Sequence, residues 1–268
     1  MFEKTRSRIV IGFMTGAALV SISLLLQATG NALLHNVVML LVFYTVLPYW
    51  ICSYYFKKNG IKLPKILFFT GTARWLLPVF GLTLLLMAFS ISIYWLMLRG
   101  LMSISPTAVQ LAFTPQPLPD ELWYAAATGF IIAIMAPIAE EFVFRGVIMH
   151  WLIASTGLWQ GIVFTSLIFS IFHINIIGAF LFAMVASLLY IKTGTLLVPI
   201  LLHIFNNTLS VFQYSIDPSF PEWLMVTSIN DLYTKAGPNL VALIVSLVLL
   251  LFFINWLVRD LERSRGNL

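Results

Sequence analysis

The chain has 268 residues, 60% of them hydrophobic and only 9% charged, with a mean hydropathy of +0.98. A water-soluble domain carries about 25% Asp, Glu, Lys and Arg, so the composition excludes a soluble globule, a disordered chain and a disulfide-stapled secreted domain. The net charge of +5 and pI near 9.4 fit the basic bias of cytoplasmic membrane loops, with no nucleic-acid partner implied, and the lone Cys52 allows neither an internal disulfide nor a cysteine metal cage.

A helix needs about 20 mostly apolar residues to cross the roughly 30 Å hydrocarbon core. On that measure the chain holds eight candidate spans, at about 9–27, 33–56, 76–98, within 122–150, 158–173, 176–190, 196–214 and 240–258. A Pro-rich connection with Pro106, Pro115, Pro117 and Pro119 follows the third. Turn chemistry marks the other breaks: Asn59-Gly60, Thr156-Gly157, Lys192-Thr193-Gly194, Asp217-Pro218 and Gly237-Pro238. The expectation is an all-α, polytopic membrane helical bundle of about eight transmembrane helices, forming a single integral membrane domain over residues 1–268 in the lipid bilayer.

The charges sort with this ladder. Lys4, Arg6, Arg8, Lys57, Lys58, Lys62, Lys65, Arg74, Lys192, Arg259, Arg263 and Arg265 fall on one side. Asp120, Glu121, Asp217, Glu222 and Asp231 fall on the other, with only Arg99 and Lys235 as bases. The positive-inside rule then places both termini in the cytoplasm, across a cell membrane. The N-terminal run is long and Ala28-Thr29-Gly30 is a poor cleavage site, so it reads as an uncleaved span. Brief loops and no organelle-targeting signal suggest a prokaryotic source.

Ionisable residues inside spans are costly and mark function by default. The fourth span carries Glu140, Glu141 and Arg145, and two later spans carry His173 and His203, the latter followed by Asn206 and Asn207. Glu141 and Arg145 are four apart on one helix face and can pair, whereas Glu140 is turned away by about 100°. A carboxylate left unpaired in a desolvated site is a usable general base. Pro137 should bend this helix and free backbone groups. Phe169 stands one turn before His173, where its ring can orient the imidazole. His203 and Asn207 share a face and can present two donors to one developing oxyanion. Taken alone, a Glu–Arg pair or a single His is as readily structural, and His35 and His150 read as packing residues.

In order and spacing, Glu-Glu-x-x-x-Arg (Glu140, Glu141, Arg145), Phe-x-x-x-His (Phe169, His173) and His-x-x-x-Asn (His203, Asn207) resemble the CPBP family of intramembrane glutamic endopeptidases. That family includes the type II CAAX prenyl proteases and the Abi-type bacteriocin-processing and immunity proteins. The resemblance covers residues 122–214, the expected catalytic core. A softer match puts Phe180, Ala183, Ser187 and Tyr190 before Thr193-Gly194-Thr195-Leu196, with small residues where the family has glycines.

The resemblance implies a membrane endopeptidase. Glu140 and His173 would activate a water, and His203 with Asn207 would form the oxyanion hole. Glu141, Arg145 and Phe169 would support the site, with no metal and no cofactor. The substrate would be a membrane-associated protein or peptide: a prenylated protein, a bacteriocin or pheromone precursor, or a membrane regulator. Two other readings stay open. One is a zinc-dependent membrane protease using the same Glu and His residues. The other is a non-catalytic transporter or scaffold. On a simple ladder His173 falls toward the outer end of its span and Glu140 and His203 toward the inner half, so their meeting requires tilted or broken helices.

Overall fold

A chain in lipid has to satisfy its backbone within each segment, which for an apolar run means a helix. In a computed structural model, Leu25, residues 30–114 and residues 121–266 are described, and every regular element among them is helical. Apart from Leu25, the expected first span lies outside the described residues, as does the 115–120 part of the Pro-rich connection.

The helices are α1 (Ala32–Asn59), α2 (Leu63–Ile66), α3 (Leu76–Met102), α4 (Pro106–Ala112), α5 (Leu122–Thr156), α6 (Leu158–Ser170), α7 (Ile176–Thr193), α8 (Leu197–Ile216), α9 (Asp231–Thr234) and α10 (Ala236–Gly266). Every expected span from the second to the eighth falls on one of them. Among the described residues, five stretches are long and apolar enough to cross a membrane: α1, Ala73–Met102, α5, α7 and the Ala236–Arg259 part of α10. The chain is a multi-pass membrane protein. The expected span at 158–173 stops early, because α6 ends at Ser170 after 13 residues. At 1.5 Å per residue it rises about 20 Å, short of the roughly 30 Å core.

Local signals set several ends. The Asn31 side chain caps α1 by accepting from Leu34 N at 3.2 Å, and Gly60, at φ 67°, closes it in the left-handed conformation that glycine tolerates. Asn175 caps α7 by accepting from Gly178 N at 3.1 Å.

The bundle is built around α7, which packs against α3, α6, α8 and α10. Ala183 and Ser187 are fully buried, so the small residues that replace glycines still permit close helix approach. The outward side of α10 shows Val241, Ile244, Val245, Val248, Leu251 and Phe252 to its surroundings, an apolar stripe suited to lipid. At one end of the bundle, Leu196 N donates to Ile66 O at 2.8 Å and joins the α7–α8 turn to α2. At the other, Trp95 Nε1 and Arg99 Nη1 both donate to Leu232 O, at 3.0 and 2.7 Å, and pin the α8–α10 connection to α3.

α5 and α6 approach closely at Gly161, where a Cβ would sit 2.7 Å from Ile153 N and 2.9 Å from Ile153 Cα. Backbone cannot yield there. Gly161→Leu is expected to destabilise the protein by about 1–3 kcal/mol or more through overpacking. At Gly81 on α3 a Cβ meets nothing within 4 Å, so Gly81→Ala should be neutral or gain up to about 1 kcal/mol of helix propensity. Thermal unfolding in detergent compares the two.

Candidate active site

The site begins with a proline. Pro137 has no N–H to donate and its ring crowds the carbonyl four residues back. The helix answers by widening: Ile131–Met135 winds as π-helix just before Ala136–Val143, the stretch that carries both glutamates. A second π segment, Phe144–Ile148, follows and holds Arg145. On α1 the segment Val42–Val46 is also π-helical and is followed by Pro48, and it packs against the widened part of α5. Such π segments recur at functional sites.

Glu141 and Arg145 are both fully buried, and Arg145 Nη1 donates to Glu141 Oε1 at 2.7 Å. The same carboxylate oxygen accepts from His203 Nδ1 at 2.9 Å. Arg145 Nη2 donates to the Ala183 carbonyl on α7 at 3.1 Å, an approach that the small Ala183 leaves open. Its guanidinium also lies 5.0 Å from the centre of the Phe169 ring, within cation–π range. The expected Glu141–Arg145 pair therefore forms, and it is shared with a histidine from another helix.

Glu140 is oriented differently. Its side chain keeps 21% of its exposure, and its Oε2 lies 3.8 Å from His203 Nε2, longer than a direct hydrogen bond. It also lies within electrostatic reach of His173. α6 ends at Ser170, and His173 lies in the turn through residues 171–175. Its ring stacks on Phe169 at 4.4 Å and 24°. Its Nδ1–H donates to the Phe169 carbonyl at 2.9 Å, which also accepts from Phe172 N at 3.4 Å at the end of the helix. That bond leaves Nε2 as the ring's acceptor. The turn is anchored by Asn175, whose Nδ2 donates to Ser90 O at 2.8 Å and Ser90 Oγ at 2.7 Å. α6 is thus a helix that stops short, with His173 in the turn beyond its end.

Asn207 lies one turn beyond His203 on α8, as expected, but one of its N–H groups is already in use. Asn207 Nδ2 donates to Ile132 O in the π segment of α5 at 2.9 Å, and Asn206 Nδ2 donates to Asn207 Oδ1 at 3.3 Å. Among the described residues, no three His, Cys, Asp or Glu side chains are grouped so as to hold a metal ion.

Two participants, Phe182 and Tyr44, were not read from the sequence, and neither was the role of Ala183 as an acceptor. Phe182 sets its ring edge-on to His203, 4.9 Å between centres, and Phe169 does the same at 5.9 Å. Ala183 supplies a carbonyl to Arg145. Tyr44, in the π segment of α1, lies within electrostatic reach of Glu140. The one available signal was Phe182 directly before Ala183 in the small-residue pattern, since Tyr44 stands in no motif. His150 is a packing residue as expected, its Nδ1 on Gly146 O at 3.1 Å and its Nε2 3.4 Å from Tyr190 Oη.

Removing one partner from a buried ion set leaves an unpaired charge and costs about 3–5 kcal/mol. Arg145→Ala is therefore expected to lower the unfolding midpoint or the folded yield by an amount of that order. A melting curve matching wild type would show that the guanidinium is not what neutralises Glu141.

Residues 122–209 match the family model described as Type II CAAX prenyl endopeptidase Rce1-like. That stretch runs from the start of α5 into α8 and contains Glu140, Glu141, Arg145, Phe169, His173, His203 and Asn207. Over 186 residues the chain is 28% identical to a protein of Escherichia coli described as an uncharacterized 24.3 kDa protein, a match covering 59% of this chain and 80% of that one. No solved structure matches the chain. The α5–α8 core, with the cluster it encloses, is thus similar to the Rce1-like type II CAAX prenyl endopeptidases over residues 122–209.

Proposed function

We propose that the chain is a membrane endopeptidase that hydrolyses a peptide bond of a membrane-associated protein or peptide, without a metal. The observation that carries this reading is the contrast between adjacent carboxylates. Glu141 is buried and paired twice through one oxygen, while Glu140 is partly open and lies beyond hydrogen-bond length of His203.

The chemistry follows from that contrast. A water between Glu140 and His173 would give its proton to Glu140 as its oxygen attacks the scissile carbonyl. His173 Nε2, with its lone pair held outward by the Nδ1 bond, orients the same water. The carbonyl oxygen becomes an oxyanion facing α8. His203 Nδ1–H is on Glu141, so His203 offers a donor at Nε2 only as imidazolium, whose charge balances the second carboxylate. Asn207 supplies its remaining N–H. Collapse of the tetrahedral intermediate breaks the C–N bond, and the proton held by Glu140 passes to the leaving amine. General base action of this kind contributes about 10²–10⁴-fold.

The family match supports a membrane-anchored chain as substrate, and the term prenyl in its description makes a lipidated C-terminal peptide the first to try. The basic loops support an orientation with both termini in the cytoplasm of a cell membrane.

Purified protein in proteoliposomes should cleave a membrane-anchored fluorogenic peptide, and chelator should not abolish turnover. His173→Ala should lower kcat by roughly 10²–10⁴-fold. Asn207→Ala should raise the barrier by about 2.7–4 kcal/mol if it serves the oxyanion. Wild-type turnover in His173→Ala would overturn the reading, and loss of activity on chelation would move it to the metal-dependent class.

A further inference from the structure

Backbone accounting around Pro137 explains why Asn207 sits where it does. In the π segment the Ala136 N–H bonds to Ile131 O, five residues back. In an α-register that N–H would have served Ile132 O. In the π register the donor for Ile132 O would be the N–H of residue 137, which is proline and has none. Ile132 O is thus left without a helix donor on both counts. In an apolar bundle such a carbonyl needs a partner from elsewhere. Asn207 Nδ2 meets it from α8 at 2.9 Å, and Asn206 holds the oxygen end of the same carboxamide at 3.3 Å.

We propose that Pro137 is a positioning residue for Asn207: it keeps Ile132 O open, and that carbonyl fixes the Asn207 carboxamide so that its second N–H is aimed rather than free to rotate. A carboxamide has two N–H donors, and one anchored donor defines the direction of the other. The device links two helices by a single missing hydrogen atom. It also places the acceptor on the same helix as Glu140, three residues from Pro137, so base and oxyanion donor are set from one frame. The aim of the second N–H rests on the proposed hydrolytic reading; the anchoring does not.

A double-mutant cycle tests both parts, with wild type, Pro137→Ala, Asn207→Ala and the double variant compared for thermal unfolding in detergent and for turnover. In the Pro137 background, Asn207→Ala orphans Ile132 O and should lower the unfolding temperature by about 2–4 °C. In the Pro137→Ala background the new N–H serves that carbonyl, and the same change should cost less than half as much. Pro137→Ala alone should lower kcat roughly tenfold or more with KM within about twofold, without lowering the unfolding temperature, because its effect falls on an interaction made in the transition state. Equal unfolding losses for Asn207→Ala in both backgrounds, or wild-type kcat in Pro137→Ala, would overturn the proposal. Should Pro137→Ala not fold, Pro137→Gly supplies the same N–H and completes the cycle. The unfolding arm requires no activity. Coupling in a protein that cleaves nothing would leave the anchoring intact and remove the hydrolytic reading. Absence of coupling in an active enzyme would remove this inference alone.

Discussion

A guanidinium with no exposure, enclosed by helices in a membrane protein, has to find its counter-charge and its hydrogen-bond acceptors within arm's length, and most of the α5–α8 core is arranged by that requirement. Arg145 takes Glu141 from its own helix, the Ala183 carbonyl from α7 and the Phe169 ring from α6. Glu141 in turn takes His203 from α8. Four helices thus meet at one buried ion set. Unpaired charge in low dielectric is so costly that none of these contacts can be released singly. The consequence for chemistry is a division between neighbours. Glu141 is consumed by the fold, and Glu140, rotated by one helical step, is not.

The second constraint is the backbone's. In a bilayer, carbonyls and amides freed from helices must be answered inside the protein. In the core, some of these carbonyls are put to use. At the end of α6 the Phe169 carbonyl fixes His173. Pro137 denies a donor to Ile132 O, which holds Asn207. The turn after α6 is secured by Asn175 against Ser90. Interruptions that would weaken a plain membrane span here orient side chains.

Much of this was legible wherever partners lie one turn apart. The Glu141–Arg145 pair and the Phe169–His173 stack follow from four-residue spacing alone, because helix geometry converts that spacing into contact. The helices from the second expected span onward were legible for the same reason, as long apolar runs bounded by turn residues. Contacts between helices were not. His203 on Glu141 joins residues 62 apart, and nothing local sets that distance. The early end of α6 at Ser170 was hidden because Ile171 and Phe172 continue the apolar run. Pro137 signalled freed backbone groups, but which carbonyl opened depended on the π register. Asn207 read as a donor aimed at the same point as His203, and its bond to α5 could not be foreseen from α8's own spacing.

The central claim is that two adjacent carboxylates hold opposite offices, one structural and one chemical. The direct measurement sets Glu140→Gln beside Glu141→Gln, recording thermal unfolding and turnover of a membrane-anchored peptide on the same purified samples. The account predicts that Glu140→Gln melts with wild type and cleaves nothing, while Glu141→Gln melts well below it. A Glu140→Gln protein that still turns over, or a Glu141→Gln protein as stable as wild type, would contradict it.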